Sequence, residues 1–222
     1  MDEIYAIIPV SRFEHAKTRL SPFLNEKERE TLLKAMLKDV TNALKENVDK
    51  IFLISADSNV LDYGKELGID TLKENDNSNL NKALSQAMEY CKGKSRKIII
   101  TPSDIPLMKN TDLNLLIKNS EKYDIMISPS KGGGTNVLIM EPELIETKFG
   151  DFSFLEHIKI ANENNLTYQI FDSFYISLDV NTTEDLGEIM VHGENSYTKE
   201  YLRSLNIDVE SIHGNERLKV WR

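Results

Sequence analysis

Cysteine is nearly absent from these 222 residues: Cys91 stands alone, which excludes an intrachain disulfide and a cysteine-built zinc site. Long apolar runs are missing too. Ile4 to Val10 is too short for a signal peptide or a membrane span, and Asp2 and Glu3 stand where a basic leader would begin. Neither export nor membrane insertion is expected, and a reducing cytoplasm fits. Cations are in deficit: 27 Lys plus Arg against 36 Asp plus Glu leave a net charge of −9. That balance argues against a general affinity for nucleic acid or anionic membrane, so a polyanionic ligand would need a local basic pocket. Ten Gly and six Pro are too few for a collagenous or low-complexity chain. What is present, 40% apolar and 28% charged residues, is ordinary for a folded protein. A chain of this length buries roughly 70% of its unfolded surface and needs no covalent or metal staple.

Short β-branched runs recur at Ile4 to Ile8, Ile51 to Ile54, Lys97 to Thr101, Asp124 to Ser128, Asn136 to Met140 and Phe174 to Val180. Runs without polar alternation predict strands buried on both faces of a sheet. Between them lie helical patterns, the longest from Glu26 to about Glu46, with Leu32, Leu33, Met36, Leu37, Val40 and Leu44 on one stripe. Others are Val60 to Leu67, Leu80 to Cys91, Asp112 to Glu121, Phe154 to Asn164 and Thr183 to Met190. Ser21, Pro22 and Asn25 precede the long helix, and Thr182 stands three residues before Asp185, both start signals. Strand alternating with helix predicts an α/β layer on a mainly parallel sheet. We read residues 1 to 190 as one catalytic domain. Residues 191 to 222, polar and weakly periodic, read as a C-terminal appendage or an oligomer contact.

Ligands of open α/β sheets sit beyond the carboxyl ends of the strands, so the residues after each strand carry the chemistry. After the first, Ser11 to Ser21 holds Arg12, Lys17 and Arg19 against Glu14, a local balance of +2. Guanidinium forks and a Lys point charge suit phosphates, although a solvated basic loop has the same composition. No glycine lies there, so neither a P-loop nor a dinucleotide fingerprint applies. After the fourth run, Asp104 is held between Pro102 and Pro106; it suits Mg²⁺, or caps a turn. Asp179 can join it on one cation, or serve backbone N–H groups. Gly132-Gly133-Gly134 with Thr135 and Asn136 offers close amide donors, or a plain hairpin. Gly150 and Ser153 open the helix that holds His157, where a cap and an anion site look alike. The four histidines, His15, His157, His192 and His213, show no ligand spacing and read as surface or helix-lining residues. Cys91 reads as a buried small residue. Trp221 is a candidate subunit contact.

Taken together, these stretches resemble the 2-phospho-L-lactate guanylyltransferases of coenzyme F420 biosynthesis, a family whose close relatives use phosphoenolpyruvate. The resemblance is carried by Ile8-Pro9-Val10 with Ala16-Lys17-Thr18-Arg19-Leu20; Leu80-Asn81 with Ala83-Leu84; Pro102-Ser103-Asp104-Ile105-Pro106-Leu107; Gly134-Thr135-Asn136; Phe149-Gly150 with Ser153-Phe154; and Leu178-Asp179 with Glu184-Asp185-Leu186. It implies a Rossmann-like three-layer sandwich of the nucleotide-diphospho-sugar transferase type, with GTP and 2-phospho-L-lactate as substrates and Mg²⁺ as cofactor. It also implies roles: Lys17 and Arg19 for the nucleotide phosphates, Asp104 and Asp179 for metal, and Thr135, Gly150 and Ser153 for the acceptor's phosphate. The family commonly reads Leu-Asp-x-Asp where this chain has Asn181.

The chemistry agrees with what is missing. A phosphomonoester is already ionised near pH 7, since its second pKa is about 6, so no general base is required. Two anions must be brought together in line, which cations and a metal accomplish by positioning and electrostatics. Arg12 and Asn136 join the expected substrate contacts, and Asn79 and Asn81 are candidates to read a base edge. A homodimer is expected for a chain of this size. The rivals are another nucleotidyltransferase of the same fold, the same chemistry on phosphoenolpyruvate or another phosphorylated acceptor, and a nucleotide-sensing module without turnover.

Overall fold

The structure, a computed structural model, describes residues 3 to 75, 79 to 212 and 218 to 222, apart from the side chain of His15. Seven strands form one sheet: β1 (Ile4–Pro9), β2 (Lys50–Ser55), β3 (Asp70–Lys73), β4 (Lys97–Ile100), β5 (Ile125–Pro129), β6 (Thr135–Met140) and β7 (Tyr168–Ile170), in spatial order β3-β2-β1-β4-β6-β5-β7. Only β6 runs against its neighbours, pairing antiparallel with β4 and β5; the other pairs are parallel. The mainly parallel mixed sheet is therefore the one the apolar runs predict.

Because side chains alternate along a strand, each central strand feeds two cores. Ala6, Ile8, Leu53, Ile99 and Ile139 face one side, and Ile7, Ile54, Ile98, Ile100 and Leu138 the other. The first side is covered by α1 (Glu26–Lys45), α2 (Ser58–Glu66), α4 (Asn110–Ser120), α7 (Thr183–His192) and α8 (Tyr197–Ser204). The second is covered by α3 (Leu80–Cys91) and α5 (Ser153–Glu163), completing three layers. On α1 the predicted stripe is what disappears from solvent: Leu32, Met36, Leu37, Val40 and Leu44 are each fully buried, about 1.5–3 kcal/mol apiece relative to exposure. Asn25 and Glu28 close a capping box at its start, as Thr182 and Asp185 do for α7. Cys91 is buried at 1% exposure, and burial pushes its thiol up to about 11.

The expected strand from Phe174 to Val180 does not form. Phe174–Ser177 is one helical turn, α6, followed by an extended stretch. The position beside β5 is taken by β7. The carbonyls of Ile176 and Ser177, which a ladder would use, accept from Asn136 Nδ2 at 2.7 Å and from the Lys131 amide at 2.8 Å. Its alternating apolar residues were a true burial signal: Ile176, Leu178 and Val180 all lie in the core. Strands β3 and β7 escape the pattern because they are short and half-exposed at the sheet edges.

Residues 191 to 222 carry α8 and a hairpin of β8 (Asp208–Ser211) and β9 (Leu218–Trp221). Leu202 and Ile207 join the same core as β1 and α1. The hairpin lies over α7, where Gly187 makes room: a Cβ there would stand 3.1 Å from Leu218 and from Val220. His213 lies outside the described residues.

Candidate active site

The chain leaves β1 toward β2 and β3 on one side, then returns to lay β4 on the other. The open crevice between the ends of β1 and β4 is thus the switch point of the sheet, where such folds bind ligands. The loop after β1 folds as two single 3₁₀ turns, Phe13–His15 and Thr18–Leu20. Phe13, Ala16 and Leu20 are buried and pin it to the core, while Arg29 on α1 donates to the carbonyls of Ala16 at 3.1 Å and Leu24 at 2.8 Å. Lys17, between the turns, is left-handed at φ 52. That conformation costs a non-glycine residue on the order of 1–3 kcal/mol and clusters at functional sites.

The strain aims the Lys17 ammonium across the crevice, where it donates to Asp104 Oδ2 and, at 3.4 Å, to Asn181 Oδ1. Asn181 Nδ2 donates in turn to Asp179 Oδ2. The Val180 amide donates to the Asp104 carbonyl at 3.0 Å, which fixes the two aspartate-bearing segments side by side. Burial holds the Asp179 carboxyl above the usual carboxylate range, and the Asp104 charge raises it further. Oδ1 of Asp104 is buried without a hydrogen-bond partner. Two convergent carboxylates, one with an orphaned oxygen and one destabilised by its neighbour, fit a hard divalent cation such as Mg²⁺. Such an ion takes one or two protein carboxylates and leaves its other positions to phosphate and water. Among the described residues no group of three or more Asp, Glu, His or Cys offers a fuller cage.

Three cavities meet here. One of about 580 Å³ runs from Arg12 past Ser55 and Asp57 to Asn79 and Asp104. A second of about 210 Å³ is lined by Lys17, Thr18, Arg19, Ser103, Asp104 and Asn181. A third of about 540 Å³ lies among Arg19, the Ser130 to Gly134 loop, Gly150, Phe152 and Asp179. The first and second share Ser11, Ser103 and Asp104; the second and third share Arg19 and Asn181. They form one crevice with Lys17 at its middle. Among the described residues no carboxylate is ion-paired with Arg12 or Arg19.

Other expected contacts are placed differently. The Asn81 amide is spent on a loop: Nδ2 donates to the Phe149 carbonyl at 2.9 Å, and Oδ1 accepts from the Phe149 amide at 2.8 Å and Thr147 Oγ1 at 3.2 Å. Asn79 caps α3 while lining the largest cavity. Asn136 clamps α6 rather than facing the crevice. The amides of Gly133 and Gly134 return to Ser130, and those of Ser153 and Phe154 go to the carbonyls of Gly150 and Gly133. The glycine loop and the start of α5 therefore shape the third cavity with backbone but keep most of their own donors occupied. Of Thr135, Gly150 and Ser153, Gly150 is among the residues lining this cavity, whereas Thr135 and Ser153 are buried, with Ser153 Oγ donating to Thr135 Oγ1 at 3.3 Å.

Two features escaped the sequence reading. Lys131 pairs with Asp185, Nζ to Oδ1 at 3.3 Å, and ties the glycine loop to α7. His157, read as a helix-lining residue, is 1% exposed, and its ring touches Thr135 Oγ1 at 3.0 Å and the Lys148 amide at 3.0 Å. Its spacing four residues after Ser153 puts both on one face of α5, a signal available in the sequence.

Comparison with known proteins places the chain among relatives. A family model described as guanylyl transferase CofC like matches residues 4 to 222. The 2-phospho-L-lactate guanylyltransferase of Methanobrevibacter smithii is 64% identical over 222 residues, all of this chain and 99% of that one. The enzyme of the same name from Methanothermobacter thermautotrophicus is 52% identical over 98% of this chain and 97% of its own. Among solved structures, a chain from Desulfovibrio desulfuricans described as a nucleotide-diphospho-sugar transferase superposes with a TM-score of 0.77 at 16% identity, over 93% of this chain and 96% of that one. A nucleotidyl transferase from Methanothermobacter thermautotrophicus gives 0.61 at 14% identity, over 92% and 100%. At such identities these two matches speak for the fold, while the family model and the close relatives settle membership: the chain belongs to the guanylyl transferase CofC-like family.

Proposed function

We propose that this protein transfers GMP from GTP to the phosphate of 2-phospho-L-lactate, releasing pyrophosphate and forming lactyl-2-diphospho-5'-guanosine. The close relatives carry that activity in their names. The observation that carries the reading is the position of Lys17, between Asp104 and the Asn181–Asp179 pair at the junction of two cavities. One substrate on each side would meet over it.

The 580 Å³ cavity, with Arg12 in its lining, takes the nucleoside end. Lys17 and Arg19 hold the nucleotide phosphates and the negative charge that grows on the departing pyrophosphate. The 540 Å³ cavity takes the acceptor, with Thr135 and Ser153 near its phosphate. An acceptor phosphate oxygen bonds to the α-phosphorus of GTP as the bond to the bridging oxygen of pyrophosphate breaks. No proton has to be removed first. Asp104 and Asp179 would hold Mg²⁺, which when bound supplies Lewis-acid neutralisation of phosphate charge. Holding two anions in line is the main work of these residues and needs no nucleophilic triad.

The same reading takes the protein as a cytoplasmic homodimer, for which the exposed Val191, Tyr197 and Trp221 of the C-terminal segment are candidate contacts. Incubation with GTP, Mg²⁺ and 2-phospholactate, followed by pyrophosphate assay and mass measurement of the product, tests the activity. Tight GTP binding without pyrophosphate release would overturn it. Sedimentation at micromolar concentration tests the dimer.

A further inference from the structure

His157 is buried at 1% exposure, and its two ring nitrogens are both engaged. The Lys148 backbone N–H can only donate, so Nε2, 3.0 Å away, must be the bare acceptor nitrogen. The neutral ring then carries its hydrogen on Nδ1 and donates it to Thr135 Oγ1 at 3.0 Å. Charging the ring would leave two N–H groups facing each other at Lys148, and burial independently keeps the imidazole neutral, its pKa lowered to about 4.

A hydrogen count follows. Thr135 and Ser153 own one hydroxyl hydrogen each, and their mutual contact at 3.3 Å consumes one. Because His157 gives a hydrogen and can accept none, the remaining hydroxyl hydrogen has no partner inside the triad. Thr135 opens β6 directly after Gly134, which lines the cavity, and a Cβ on Gly134 would stand 3.7 Å from Ser153 Oγ. Ser153 Oγ donates to Thr135 Oγ1, so the uncommitted O–H is that of Thr135, a buried residue directly behind Gly134 in the cavity wall.

We propose that His157 is a positioning residue for the acceptor: by donating from Nδ1 it forces the Thr135–Ser153 hydroxyl pair to present a hydrogen-bond donor to the acceptor's phosphate. This rests on the reading of the third cavity as the acceptor's. The opposite tautomer would draw the hydroxyl hydrogen inward and turn lone pairs toward an anion. The assignment differs from a packing role because it acts through one named atom, Thr135 Oγ1.

Three measurements test it. In nitrogen-15 spectra of the wild-type protein at pH 7, the His157 ring should show the hydrogen on Nδ1; a hydrogen on Nε2 overturns the proposal without any substitution. In steady-state assays, His157→Gln should raise KM for 2-phospholactate by about tenfold or more, the scale of one hydrogen bond to a charged group, while KM for GTP changes less than about twofold. In a Thr135→Val background the same change should cost almost nothing further, and an equal cost in both backgrounds overturns it. Calorimetric titration with 2-phospholactate alone separates this from the reading of the whole site. Weaker binding to the folded variant supports His157 even if GTP is not turned over, and unchanged binding refutes it. Wild-type protein that binds 2-phospholactate but releases no pyrophosphate sinks the transferase reading only.

Discussion

Lys17 and Asp104, 87 residues apart, meet as an ion pair whose side chains retain 9% and 20% exposure, and the lysine reaches it from a left-handed backbone. Neither partner is an ordinary surface charge. Removing the ammonium leaves two neighbouring carboxylates without their internal counter-charge. Lys17→Ala should lower kcat/KM for GTP by about 10² or more, the scale of removing one charged group from developing phosphate charge. The fold, read by circular dichroism, should be kept. Pyrophosphate release under GTP-limiting conditions checks it, and near-wild-type turnover would remove Lys17 from the reaction.

Asp104 and Asp179 repel each other across the same gap. Burial is the larger cause of the raised Asp179 pKa, and the Asp104 charge comes next. Asp104→Asn should therefore lower the Asp179 pKa toward the ordinary range while reducing kcat by about 10² or more through loss of an oxygen proposed to hold Mg²⁺. A carbon-13 titration of the Asp179 carboxyl reads the first effect. An unmoved titration would mean that the two carboxylates do not sense each other.

His157 makes stability depend on pH in mildly acid solution. Its folded pKa, about 4, lies below the ordinary 6.5, so the unfolded chain takes up the proton first. Stability contributed by the neutral ring is full above about 6.5 and falls as pH drops toward 4, by about 3 kcal/mol in all. Asp179 acts with the opposite sign, since its raised value adds stability at low pH that is lost on deprotonation. Urea denaturation of wild type and His157→Gln between pH 4 and 7 should show the steeper slope in the wild type; parallel slopes would refute the assignment.

Asp39 on α1 caps a helix far away in sequence. Its carboxylate accepts from Ser196 Oγ at 2.8 Å, the amides of Tyr197 and Thr198 at 2.9 Å each, and Thr198 Oγ1 at 2.6 Å, at the start of α8. Asp39→Ala should cost about 2–3 kcal/mol, combining a lost cap with donors left unpaired. Hydrogen exchange should speed up over residues 197 to 204 before it does in β1 and β4. Uniform acceleration would show instead that α8 opens only with the whole protein.

Much of this protein was written in short stretches of chain. Buried runs such as Ile98 to Ile100 marked the sheet, the stripe on α1 marked its covering face, and Asn25 and Thr182 marked helix starts, because pleat, helical period and capping act over a few residues. The basic loop holding Lys17, and Asp104 just beyond β4, were equally visible, whereas Asp179 follows a helical turn in place of the expected strand. Tertiary structure decided how those groups spend their bonds. Asn81 turned to Phe149, 68 residues away, and Asn136 to Ile176, 40 away, so both amides are engaged within the fold. The stretch from Phe174 coiled instead of joining the sheet because β7 had taken the edge. Lys17 found Asp104, and His157 found Thr135, only once the strands that carry or flank them lay side by side. Local sequence sets what a side chain is able to donate or accept; the assembled sheet sets which distant backbone or side chain stands within reach.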